Sequence, residues 1–138
     1  MTALTRLREE DLKYLELLQT VIARHGNNSF LVKSWAVTLN AAFIVVTDRR
    51  QSWRGVMISL SLAAGFWLLD SYYLRQERLF RTLYDRFVVQ GPAGPPLFTM
   101  DAARYGDRVG WRSVALSRTM LCTYGLLVAV DMVVVLLA

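Results

Sequence analysis

Apolar positions gather in three long blocks along the chain, and most of the charge lies before or between them. Residues 30–47 (FLVKSWAVTLNAAFIVVT) carry one charge, Lys33. Residues 56–74 (VMISLSLAAGFWLLDSYYL) carry one charge, Asp70. Residues 114–137 (VALSRTMLCTYGLLVAVDMVVVLL) carry two, Arg118 and Asp131. A helix that crosses a bilayer takes about 20 mostly apolar residues. Three blocks of this length would leave a soluble domain almost no polar surface to cover them. The pattern therefore predicts an all-α membrane protein with three transmembrane helices.

Residues 1–28 are charged and amphipathic, without the apolar run and cleavage site of a secretory signal. The first span is then the expected insertion signal. Leu4, Leu7, Tyr14, Leu18 and Val21 recur at helical spacing with Leu15 and Ile22 beside them, and Asp11 interrupts the stripe. One amphipathic helix over 3–24 is expected, with Gly26-Asn27-Asn28 as its stop and turn. Asn27-Asn28-Ser29 also matches the glycosylation sequon, an accidental match in a cytoplasmic turn.

The second block has no breaker after Leu74. Its helical pattern runs through RQERLFRTLYDRFVVQ to Gly91-Pro92, giving one helix of about 35 residues and roughly 50 Å. About 15 of those residues would stand clear of the membrane, with Leu79, Phe80, Leu83, Tyr84 and Phe87 on one face. That face needs a partner, either the N-terminal helix or a lipid surface. Glu77/Arg81 and Arg81/Asp85 are i,i+4 pairs of opposite sign. GPAGPPL reads as a stiff linker, and FTMDAARYGDRVGW as a surface turn or short interfacial helix. The expected parts are a cytosolic helix (1–28), a transmembrane hairpin (29–74), a cytosolic extension with linker (75–113) and a third span (114–138).

The net charge of +5 and pI of about 9.8 sit beside 54% hydrophobic residues. Four basic residues precede the first block and seven lie in 75–113, against three (Arg49, Arg50, Arg54) in the hairpin loop. Short-loop arginine and lysine mark the cytoplasmic side, so the N-terminus and 75–113 are expected inside. The basic excess is then chiefly a topology signal, and no nucleic acid is expected. Arg75, Arg78, Arg81 and Arg86 become candidates for contact with lipid headgroups or a partner.

Ionisable groups in lipid are costly and need a reason. A hairpin centred near residue 51 puts Lys33 and Asp70 at similar depth, which predicts an ion pair. The alternative is that Lys33 snorkels to the interface and Asp70 meets water. Trp35, Trp67, Tyr72 and Tyr73 suit an inner aromatic belt, and Arg118 is positioned to join the charged layer. Lys33, Asn40 and Thr47 form one stripe, read either as helix packing or as the lining of an aqueous path. Ser59, Ala63 and Asp70 share one face of the second helix, and Ser61 and Gly65 another. Two contact faces suggest a homo-oligomer. Asp131, near the outer end of the third helix, is a candidate partner for Arg49 or Arg50.

No catalytic motif appears. The lone His25 reads as a surface residue near a helix end, and the lone Cys122 as mid-membrane packing. No enzyme activity, cofactor or metal is expected.

The stretches NSFLVKSWAVTLNAA and FWLLDSYYLRQERLFRTLYD resemble a family of small, largely uncharacterised bacterial membrane proteins, over residues 14–87 with a weaker echo in the final helix. The architecture, a hairpin flanked by cytosolic helices, is similar to the SLATT-type effectors of antiviral defence. That resemblance implies an inner-membrane oligomer that perforates the membrane when a soluble partner senses infection, with Lys33, Asn40 and Asp70 as pore or gate residues. A third span departs from the two-span pattern. Two further readings stand beside it: a non-conducting anchor for a soluble complex, and a subunit of a small transporter.

Overall fold

The computed structural model describes residues 8–46 and 53–137. Leu4, Leu7, Thr47, Arg49 and Arg50, and any role expected of them, lie outside the described residues. Among these residues all regular structure is helical: α1 (Glu9–Val46), α2 (Trp53–Gln90), α3 (Trp111–Ala115) and α4 (Arg118–Leu137), with 3-10 turns at Gly91–Ala93 and Ala102–Tyr105. Two of these helices, α1 and α2, are long and apolar enough to cross a membrane.

The expected turn at Gly26-Asn27-Asn28 does not form; α1 passes through it unbroken. The reason is a buried seam. Asp11, Tyr14, Leu18, Ser29, Ala36 and Asn40 are all buried, and their spacing keeps the helical period from one end of α1 to the other. A turn would destroy that register. Gly26 costs about 1 kcal/mol of helix propensity, but it sits where a Cβ would lie 3.3 Å from a Glu77 carboxylate oxygen. The glycine does not end α1; the tip of the Glu77 side chain from α2 lies over it.

α1 starts with a half capping box: the Asp11 carboxylate accepts the Arg8 N–H at 2.9 Å. The acid expected to interrupt the apolar stripe thus satisfies one of the helix's orphan donors. α2 continues to Gln90 as the sequence predicts. It ends where Gly91 takes the left-handed conformation (φ 54°), which glycine adopts without steric cost.

The long helices lie side by side and pack in two zones. In the first, Tyr14, Leu15 and Leu18 of α1 meet Leu79, Leu83 and Phe87 of α2. The N-terminal helix face is therefore the partner of the α2 extension. Segment 91–110 covers this stalk: Ala102 and Val109 enter its core, and Tyr14 donates to the Thr99 carbonyl at 2.6 Å. In the second zone α4 joins, placing Met120, Tyr124 and Leu127 against Ala36, Phe66 and Trp67. The third apolar block is not one helix. It breaks at Leu116 and Ser117, between α3 and α4.

Both zones expose large apolar side chains, Leu12, Leu17 and Val89 on the first. Around the second, Phe30, Trp35, Val45, Ile58, Leu121, Leu126 and Leu136 are exposed. Apolar side chains left exposed in this number suit contact with lipid or another protein more than with water.

Candidate functional site

Inside the second zone the polar residues form two clusters. The first is centred on Asp70, which has no exposed surface. Lys33 Nζ lies 2.8 Å from both carboxylate oxygens and donates to Ser29 Oγ at 2.8 Å. Ser29 donates to Oδ1 of Asp70, and Tyr124 donates to Oδ2 at 3.2 Å. The Lys33–Asp70 pair expected from depth alone is present. It carries no net charge, and every carboxylate oxygen has two donors. This is the condition under which a buried ion pair is tolerated.

Arg118 does not join this layer. It is exposed at the start of α4, and Tyr124, a turn and a half further on, fills the place expected of it. Trp67 donates its indole N–H to the Ala115 carbonyl at 3.1 Å, fastening α2 to the α3–α4 break. Trp35 and Tyr72 remain on the outer face, both about half exposed.

The second cluster joins one residue from each of α1, α2 and α4. Asn40 Nδ2 donates to Asp131 Oδ1 at 3.0 Å. Ser59 Oγ lies 2.6 Å from Asp131 Oδ2 and 3.0 Å from Asn40 Oδ1. All three are buried. Asn40 is thus hydrogen-bonded within the subunit, and Asp131 is engaged by α1 and α2. The clusters are seven residues apart on α1, about 10 Å, with apolar Ala36 and Leu127 between.

The arginine candidates separate. Arg75 turns inward and donates through Nε to the Val109 carbonyl at 3.1 Å, holding segment 91–110. Arg81 is exposed and pairs with Glu77 at 2.7 Å, one of the two expected i,i+4 pairs. Arg78 and Arg86 are partly exposed on the same stalk.

His25 is not at a helix end. It lies within α1, stacked on Phe80 with ring centroids 5.7 Å apart, and its Nδ1 is buried without a partner. Burial pushes this imidazole below its ordinary value of 6.5; Arg24 adds to the effect and Glu77 opposes it. Cys122 faces outward instead of packing inside.

Sequence reasoning missed Ser29 and Tyr124 as partners of Asp70, and Ser59 as a partner of Asp131. Ser29 is one turn from Lys33 and was findable. Tyr124 is seven residues from Asp131 on the same face of α4, but nothing local says which way that face points. No group of three or more metal-ligating side chains occurs among the described residues. Compared with known proteins, the chain matches no family model, no curated protein and no solved structure.

Proposed function

We propose that the chain is a bacterial inner-membrane protein with three spans, its N-terminus and stalk cytoplasmic, that assembles as a homo-oligomer and permeabilises the membrane when a soluble partner acts on the stalk. The observation that carries this reading is the placement of the polar groups. Lys33, Asp70, Asn40 and Asp131 are gathered at two levels inside a bundle whose outside is apolar. Ionisable groups at membrane depth mark functional sites by default. In the arrangement described they are closed upon one another, as a resting state requires.

Transmission has a physical route. α1 and α2 pass without a break from the stalk core to the polar clusters, so a shift of the stalk moves both helices at the clusters as well. Oligomerisation is favoured by a groove of about 360 Å³ between α2 and α4, floored by Ala63, Ala64 and Gly125. Small residues of this kind let helices of neighbouring subunits approach closely. The anchor reading has its own support in the charged groups of the stalk, where Arg78 and Arg86 are partly exposed beside the Arg81–Glu77 pair, within reach of a soluble partner or lipid headgroups.

The test is membrane potential and dye entry in cells expressing the protein with its neighbouring genes, before and after phage challenge. Depolarisation is expected, with loss of the effect in Asn40→Leu at unchanged assembly. Permeability that stays constant in every condition overturns the permeabilising reading in favour of the anchor.

A further inference from the structure

Two hydrogen bonds fix where the chain returns from the stalk to the bundle. Arg75 of α2 holds the Val109 carbonyl and Trp67 of α2 holds the Ala115 carbonyl, each at 3.1 Å. Trp67 and Arg75 are eight residues apart, about 12 Å of helical rise. Val109, Val114 and Ala115 are buried against the bundle. The rest of this elbow points away from it: Arg108, Trp111, Arg112, Leu116 and Arg118 are exposed. Its level is the stalk-side end of the apolar run 56–74 of α2, where the exposed Tyr72 also lies.

The arginines here are uncommitted. Among the described residues only Lys33 and Arg81 make ion pairs, and Arg75 is engaged by Val109. Arg104, Arg108, Arg112 and Arg118 are exposed, and residues 102–118 hold one acid, Asp107, against these four. A surface that sets guanidinium groups beside an indole and a leucine matches neither bulk water nor hydrocarbon. It matches the headgroup layer, where indole rings settle and guanidinium binds phosphate in two-pronged fashion. The break before α4 adds the positive end of a helix dipole at the same place, with Arg118 and Thr119 exposed on its first turn.

We propose that residues 108–118 bind the phosphate headgroups of anionic phospholipids in the leaflet on the stalk side. Arg108 and Arg112 reach them from before the α3–α4 break and Arg118 from after it, with Trp111 at the hydrocarbon edge. Headgroups held from both sides fix the angle of the break, and so the rotation of α4 that seats Tyr124 on Asp70 and Asp131 on Asn40. The level decides the partner. At the end of a span the nearest surface is the headgroup layer, which an acidic protein would have to displace. The assignment rests on the membrane reading above and is independent of permeation.

The test uses the full chain in phosphatidylcholine vesicles carrying traces of spin-labelled phosphatidylglycerol or spin-labelled phosphatidylcholine, and reads the fraction of each label immobilised at the protein. At low salt a preference of about fivefold or more for phosphatidylglycerol is expected, the contribution of one arginine near an anionic surface. It should fall to near unity when Arg108→Gln, Arg112→Gln and Arg118→Gln are combined. Amide hydrogen exchange over 109–119 is expected to slow when the host lipid is made anionic, and not to slow in the triple variant. Four outcomes overturn the surface: a preference unchanged in the triple variant, an equal loss in Arg78→Gln with Arg86→Gln, a loss on adding inorganic phosphate at constant ionic strength, and a loss on adding polyglutamate at constant ionic strength. The third makes a soluble anion the ligand, and the fourth an acidic protein. A chain that alkaline carbonate strips from the vesicles condemns the membrane reading together with the surface. An inserted chain without lipid preference condemns the surface alone.

Discussion

Asp70 is held by Ser29, Lys33 and Tyr124, one residue on α1, another a turn later, and one on α4. Removing one member of a buried pair strands the other charge, at a cost of about 3–5 kcal/mol. Lys33→Leu or Asp70→Leu is therefore expected to lower stability in detergent by that order, read as the shift of an equilibrium unfolding curve. The double substitution should recover most of the loss, because no charge is then left uncompensated. Equal loss in the double and single variants would show the two residues acting independently. His25 gives a pH dependence whose sign follows from burial. Its folded form resists protonation, so on acidification the unfolded chain takes the proton first, beginning near pH 6.5. Stability is expected to fall as the pH drops through and below that value, and to level off once the folded form is protonated as well. His25→Gln should flatten this part of the curve, measured by unfolding midpoints across the range.

At the scale of elements, the continuity of α1 is the main departure from the local signal. Gly, Asn and Asn in succession form a strong stop when read alone, since all three are poor helix formers. The long seam with α2 outweighs them, and the Glu77 side chain lies over Gly26. Asn27 is exposed in mid-helix. Asn27→Ala is expected to raise stability by about 0.5 kcal/mol, whereas the same change in a turn that needed asparagine would lower it. Thermal unfolding decides between these. The α2 extension was legible because nothing interrupts it before Gly91. The cover over the stalk was not. Segment 91–110 has weak periodicity, and its position depends on donors far away in sequence, Tyr14 and Arg75.

Over the whole molecule, large apolar side chains are exposed on both zones, among them Leu12, Leu17 and Val89 on the stalk and Phe30, Trp35 and Leu126 on the bundle. The outward side of α4, with Leu121, Leu126, Val130 and Val133 exposed, is expected to face lipid if this helix spans as proposed. Cys122 shares that exposure and is the chain's single cysteine, so a spin label can be placed there without mutation. The label should be relaxed strongly by oxygen dissolved in the bilayer and weakly by a water-soluble nickel chelate. The reverse order would remove the third span.

The amino-acid sequence alone determined the two apolar helical segments within α1 and α2, the run of α2 to Gly91 and the Lys33–Asp70 pair. Length, apolarity and depth along a hairpin are one-dimensional properties, and they survive whatever the rest of the chain does. Only the tertiary structure decided which way α4 turns. That rotation brings Tyr124 to Asp70 and Asp131 to Asn40 and Ser59, and it leaves Arg118 and Cys122 outside. It is set by how segment 91–110 packs on the stalk and where the α3–α4 break falls. Both depend on contacts between residues far apart in the chain, which no local periodicity encodes.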